Sequence, residues 1–118
     1  MTEKNMSKVI DKQIANAFRK ARVYIENSTQ RYICYALNTA YCRNEITFLT
    51  RNKTLGIIDS KIGVKSSETM SHDSRLIANH PGFTKWYNSN CNEFREAQMR
   101  LYRLRWLDAL IEEFDKKG

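Results

Sequence analysis

EFREAQMRLYRLRWLDALIEEF, residues 93–114, carries the periodicity that decides the fold. Phe94, Ala97, Leu101, Leu104, Leu107, Ile111 and Phe114 recur at intervals of three or four, which lines them along one helix face for about five turns. Met99, Tyr102, Trp106 and Leu110 make a second stripe beside the first, so the segment is apolar around much of its circumference. A helix of this kind is central to a bundle or turns its second face to another subunit. Either way it is predicted to organise the fold, and the second alternative would make a homo-oligomer through this helix. Asn90 is suited to cap its start, with Glu93 three residues on, where a capping box has its acidic member.

The same reading extends to the other end of the chain. Ile10, Ile14, Ala17, Phe18, Ala21 and Ile25 are spaced by three and four residues, with Lys8, Lys12, Arg19, Lys20 and Arg22 mostly elsewhere on the wheel. This spacing predicts an amphipathic helix over 5–25, followed by turn and cap chemistry at Asn27, Ser28 and Thr29. A second helix is predicted over 31–50, with Ile33, Ala36, Leu37, Ala40 and Tyr41 on one stripe and Cys34, Leu37, Tyr41 and Phe48 on its neighbour. Between residues 51 and 90 the periodicity weakens, and this stretch holds the only Pro and every Gly except Gly118. Irregular structure is expected there. Leu55, Ile57, Ile58 and Ile62 suit a short buried helix, whereas 57–64 equally suits a small hairpin turning at Asp59, Ser60 and Lys61. Residues 66–78 have room for one more short helix, which must end by His80 because Pro81 disfavours a helical residue before it. The expected architecture is all-α: one domain over 1–118, a bundle of three long helices with an irregular middle.

Composition agrees. A chain of 118 residues with 42% hydrophobic and 28% charged residues can bury one core. Four Gly and one Pro leave few obligatory breaks. No run approaches the roughly 18 to 20 apolar residues of a membrane span, and MTEKNMSKVIDKQ lacks a signal-peptide core. Cys34, Cys42 and Cys91 are odd in number and follow no framework spacing. The expectation is a cytoplasmic protein with no membrane partner. Cys34 and Cys42 are two helical turns apart if their helix is continuous, too far for a disulfide, and are read as small core residues.

Motifs for chemistry are sparse. His72, Asp73, His80 and Cys91 are the candidate metal ligands, but no paired Cys-x-x-Cys or His-x-x-x-His spacing accompanies them, so no metal is expected. Cys91 with His72 or His80 is the one nucleophile and base combination available, with no nucleophile elbow or phosphate loop in support. No catalytic residue, cofactor or enzyme activity is predicted. Glu112, Glu113 and Asp115 sit where a helix dipole disfavours acids, and are read either as a solvated face or as partners of basic segments.

The informative feature is positive charge interleaved with aromatic rings. Twenty Lys and Arg against 13 Asp and Glu give +7, which favours an acidic macromolecule or a phosphorylated nucleotide ligand, or serves solubility alone. The candidate ligand-binding residues are Arg100, Arg103 and Arg105 around Tyr102, Lys85 before Trp86, and Arg51 and Lys53 within a second basic stretch that includes Arg43, Lys61 and Lys65. Guanidinium groups donate in pairs to phosphate oxygens, and rings stack on bases. Arg100 and Arg103 are three residues apart and are expected to project together, with Arg105 on another side of the helix. A solvated rim around a helical core would use the same residues.

The segments RYICYALNTA (31–40) and RLYRLRWLDALIEEF (100–114) together resemble small accessory proteins encoded by tailed bacteriophages. The resemblance implies a non-enzymatic, anti-defence type of binding protein. Such proteins inhibit a host process by blocking an enzyme, occluding nucleic-acid recognition, or acting as an oligomeric sponge for a cyclic or phosphorylated nucleotide signal. It assigns no role to any residue.

Overall fold

The computed structural model describes residues 3–62 and 92–118. They form four helices and, among the described residues, no strand: α1 (Glu3–Glu26), α2 (Ile33–Cys42), α3 (Phe48–Ile62) and α4 (Asn92–Lys117). The all-α expectation is met. The long helices are α1, α3 and α4, of 24, 15 and 26 residues. The hairpin considered over 57–64 is excluded as far as Ile62, because α3 runs through it. The short helix considered over 66–78 and the cap at Asn90 lie outside the described residues.

α1 buries Ile14, Ala17, Phe18, Ala21 and Ile25, the stripe expected from its spacing, together with Ala15 and Tyr24. It ends at Glu26, and two residues on Ser28 has a left-handed φ of 63°. There the Ser28 N–H donates to the Ile25 carbonyl at 3.2 Å, and Asn27 Oδ1 accepts the Thr29 N–H at 2.9 Å, so the side chain closes a turn that a helix cannot continue through.

The helix expected over 31–50 is divided in two. Asn44 has φ 61°, its N–H donates to the Tyr41 carbonyl at 3.0 Å, and the Glu45 N–H donates to the Ala40 carbonyl at 2.9 Å. This pair of bonds is a Schellman closure, and Asn is the residue that best replaces Gly at its left-handed position. Thr47 then starts α3 as its N-cap, with Oγ1 accepting the Thr50 N–H at 3.1 Å. α3 buries a narrow stripe of Thr50, Thr54 and Ile58, and the Thr54 hydroxyl is satisfied by the Arg51 carbonyl at 2.7 Å.

α1, rather than the last helix, is the element around which the others gather: α2, α3 and α4 all pack extensively on it. α4 runs antiparallel to α1. Its Asp115 meets Arg19, its Asp108 meets Arg22 at 2.6 Å, and its Arg100 meets Ser28, so positions rise on one helix as they fall on the other. The interior face of α4 is Arg103, Leu107, Leu110 and Phe114, flanked by half-buried Leu104, Trp106 and Ile111. Leu101, expected in the first stripe, is instead 45% exposed, because the contact with α1 is centred between the two predicted stripes. Phe18 and Phe114 close the seam with ring centroids 6.3 Å apart.

Gly56 is exposed in mid-α3, and a Cβ there would meet no atom within 4 Å. Gly56→Ala is therefore expected to raise the unfolding free energy by about 0.5 to 1 kcal/mol, through lost chain entropy of the unfolded state. Thermal melts of the two proteins measure it. An unchanged or lower midpoint would mean that the space beside Gly56 is filled in solution.

Candidate functional site

The basic residues singled out in the sequence separate into three settings. On α4, Arg100 is exposed and donates to Ser28 Oγ at 2.6 Å. Arg103 is 1% exposed, and its guanidinium lies 4.9 Å from the centroid of the Tyr32 ring, which Arg31 also approaches at 5.7 Å. Arg100 and Arg103 therefore do not project together. Arg103 falls on the interior face with Leu107 and Leu110, where its long apolar stem packs and a ring accepts its charge. Arg105 is exposed. The side chain of Tyr102, and Lys85 and Trp86 altogether, lie outside the described residues.

The other two settings are on α3, where Arg51 and Lys53 point to different sides of one helix. Lys53 borders an open groove of about 500 Å³ with Ile10, Ile14, Gly56, Ile57 and Phe114, whose rim also carries Asp11 and Glu113. Arg51 is wedged into the corner between α2 and α3. Its guanidinium carbon is 4.9 Å from the Tyr41 ring and 5.0 Å from the Phe48 ring. Nη1 donates to Asn38 Oδ1 at 2.9 Å, while Nε and Nη2 donate to Asn52 Oδ1 at 3.2 and 3.0 Å. The rings fix the plane of the group and two neutral amides fix its rotation, yet among the described residues no carboxylate pairs with it. Two N–H bonds of the fork have no acceptor among the described residues.

This arrangement follows from the break between α2 and α3. Tyr41 closes α2, Phe48 opens α3, and Arg51 stands three residues beyond Phe48 on the same helix face. Arg43, at the end of α2, adds a second cation. It stacks 5.1 Å from the Tyr24 ring and donates to the Tyr24 hydroxyl at 3.3 Å, and that hydroxyl donates in turn to the Glu45 carboxylate.

Acidic residues are engaged elsewhere. Glu112 and Glu113 pair with Lys116 and Lys117 one turn on, at 3.0 and 3.5 Å, and Asp108 and Asp115 hold α1 through Arg22 and Arg19. Glu112, Glu113 and Asp115 thus stay on a solvated face while pairing with basic residues of this chain, so the two readings of them hold together. The hydrogen bond that Arg22 Nε donates to the Asp108 carboxylate raises the Arg22 pKa above its already high ordinary value. A raised cationic group gives stability below its unfolded pKa and loses it only as pH climbs through the folded one, so Arg22 adds no pH dependence near neutrality.

Of the cysteines described, Cys34 is buried as expected, whereas Cys42 is exposed at the end of α2, with Asn38 Nδ2 3.8 Å from its sulfur. His72, Asp73, His80 and Cys91 lie outside the described residues. Asn38, Tyr41 and Phe48 were not among the predicted ligand-binding residues, whereas Arg43 belongs to the second basic stretch singled out in the sequence. A reading of Thr47 as an N-cap would have placed Phe48 and Arg51 together. No helix among the described residues is long and apolar enough to cross a membrane. No family model, characterised protein or solved structure is detectably similar to this chain.

Proposed function

We propose that this chain is a non-enzymatic binding protein that engages an acidic macromolecule through the corner between α2 and α3, and that, in the manner of the phage accessory proteins its segments resemble, it inhibits a host process by doing so. The observation that supports this reading is the setting of Arg51. A cation held between two rings and two neutral amides has lost its rotamer freedom before any ligand arrives, and its charge is not cancelled by an ion pair among the described residues. An oxyanion that docks there meets an oriented donor without first displacing a carboxylate. The formal charge of +7 draws such a partner in from solution. The alternative, an oligomer that sequesters a nucleotide with Arg100 and Arg103, loses its central pair to the burial of Arg103.

The test is fluorescence anisotropy with labelled oligonucleotides and labelled polyglutamate over a series of salt concentrations. At least one of these polyanions is expected to bind at low salt, and Arg51→Gln is expected to weaken it by about tenfold. For a nucleic acid, the variant also lowers the salt slope by about one. Equal affinity of variant and parent, with matching thermal melts, would overturn the assignment, as would the absence of binding to every polyanion at low salt.

A further inference from the structure

The chemistry around Arg51 goes further than charge, and the following step rests on the reading just given. Phe48 is 56% exposed and its neighbour Leu49 63% exposed, although both belong to the first turn of a helix that has a core to pack on. Tyr35 is 41% exposed on the outer face of α2. Asn38 lies one turn beyond Tyr35, its Oδ1 accepts Arg51 Nη1, and Arg51 lies against Phe48. Tyr35, Asn38, Arg51 and Phe48 are thus successive neighbours across one surface, with an open ring at either end and an oriented guanidinium between them. Tyr32 is tilted at 43° to Tyr35 with ring centroids 5.9 Å apart, which fixes that ring without covering it.

We propose that the acidic macromolecule bound at this surface is a single-stranded nucleic acid, with bases stacked on Phe48 and Tyr35 and the intervening phosphate held by Arg51. An acidic peptide can use the guanidinium, but its carboxylates gain nothing from the rings. A duplex offers phosphates, but its base faces are already stacked on one another. Only an unpaired strand presents π-faces and phosphates in alternation, and stacking on rings asks for no particular base, so binding tolerates sequence.

Four probes of equal charge separate the possibilities: oligothymidylate, an abasic strand of the same length, a duplex of matched phosphate number, and polyglutamate. Oligothymidylate is expected to bind at least about tenfold more tightly than the abasic strand. Phe48→Leu and Tyr35→Leu are each expected to lower its affinity by about five- to tenfold while leaving the abasic strand unaffected, whereas Arg51→Gln weakens both. Phe48→Trp is expected to restore binding and to show fluorescence quenching when oligothymidylate is added, which separates loss of stacking from loss of fold. Equal binding of the thymidylate and abasic strands, with no effect of the ring substitutions, would overturn base stacking and leave the anion-binding reading intact. So would a preference for the duplex or for polyglutamate that Arg51→Gln abolishes. Failure of all four probes at low salt would overturn both.

Discussion

Phe18→Ala is expected to lower the free energy of unfolding by about 4 kcal/mol, the largest loss from any single substitution considered for this chain. The ring is fully buried on α1, at the place where that helix meets α4, and stacks at a tilt on Phe114. Truncation removes both the transfer free energy of the ring and its aromatic contact, and leaves a void. The neighbouring buried residues on the same face, Ala15, Ala17 and Ala21, are too short to fill it. Because domains of this size are stable by only about 5 to 15 kcal/mol, the variant should lie close to the threshold of folding. Urea titration measures the effect through the midpoint at constant slope. Phe18→Leu, which keeps most of the volume, should cost less than about 1.5 kcal/mol. A loss below 1 kcal/mol for the alanine variant, on the order of a surface substitution, would mean that the seam between α1 and α4 is not the core.

Arg103→Ala is expected to cost about 2 to 3 kcal/mol, while Arg100→Ala, three residues away, should stay within about 0.5 kcal/mol. The two residues look alike in the sequence and differ in burial. Arg100 is exposed and its one described partner is a surface hydroxyl. Arg103 is 1% exposed, its stem shares a face with Leu107 and Leu110, and its charge rests on the Tyr32 ring. Removing it takes away packing and a desolvated cation–π contact together, and opens the junction between α4 and the turn that follows α1. Chemical denaturation of the two variants side by side decides the matter. Equal and small losses would return Arg103 to the surface role that its position beside Arg100 suggests. For the binding assays it follows that Arg103→Ala acts through stability, and that at temperatures where the variant is folded its affinity for polyanions matches that of the parent.

How far the fold could be read from the residues depended on how each helix is held. α1 and α4 bury apolar stripes over many turns, so a count of intervals finds them. The division between α2 and α3 escaped the same count because Leu37, Tyr41 and Phe48, spaced by four and seven residues, keep a helical interval across it, and the residues that break it, Asn44 and Thr47, act through backbone geometry that periodicity does not register. Part of α3 falls in the stretch read as irregular for a related reason: among its described side chains the buried ones are Thr50, Thr54 and Ile58, and a hydrophobic count omits the two threonines. The candidate site was legible by half. Charge pointed to Arg51, but its surroundings come from Asn38 and Tyr41, on a helix whose end had been placed some eight residues too late. The burial of Arg103 had no local signal, since a cation on a mostly apolar face is ordinarily read as its polar edge.

The seam between α1 and α4 joins residues that stand 86 to 96 positions apart in the chain. Contacts of that separation form only after a large loop has closed, and the entropy of closure is lost before any of the burial is gained. Pairing of α1 with α2 needs only the short turn at 27–32 and can come early. Until α4 docks, Phe18 has no Phe114 to cover it, so a chain in which only α1 and α2 have paired has an open apolar flank. The time spent there sets how far refolding competes with self-association. Dilution and low temperature should therefore raise the refolding yield more than any change in salt, whose influence is confined to the exposed ion pairs at the margin of the seam.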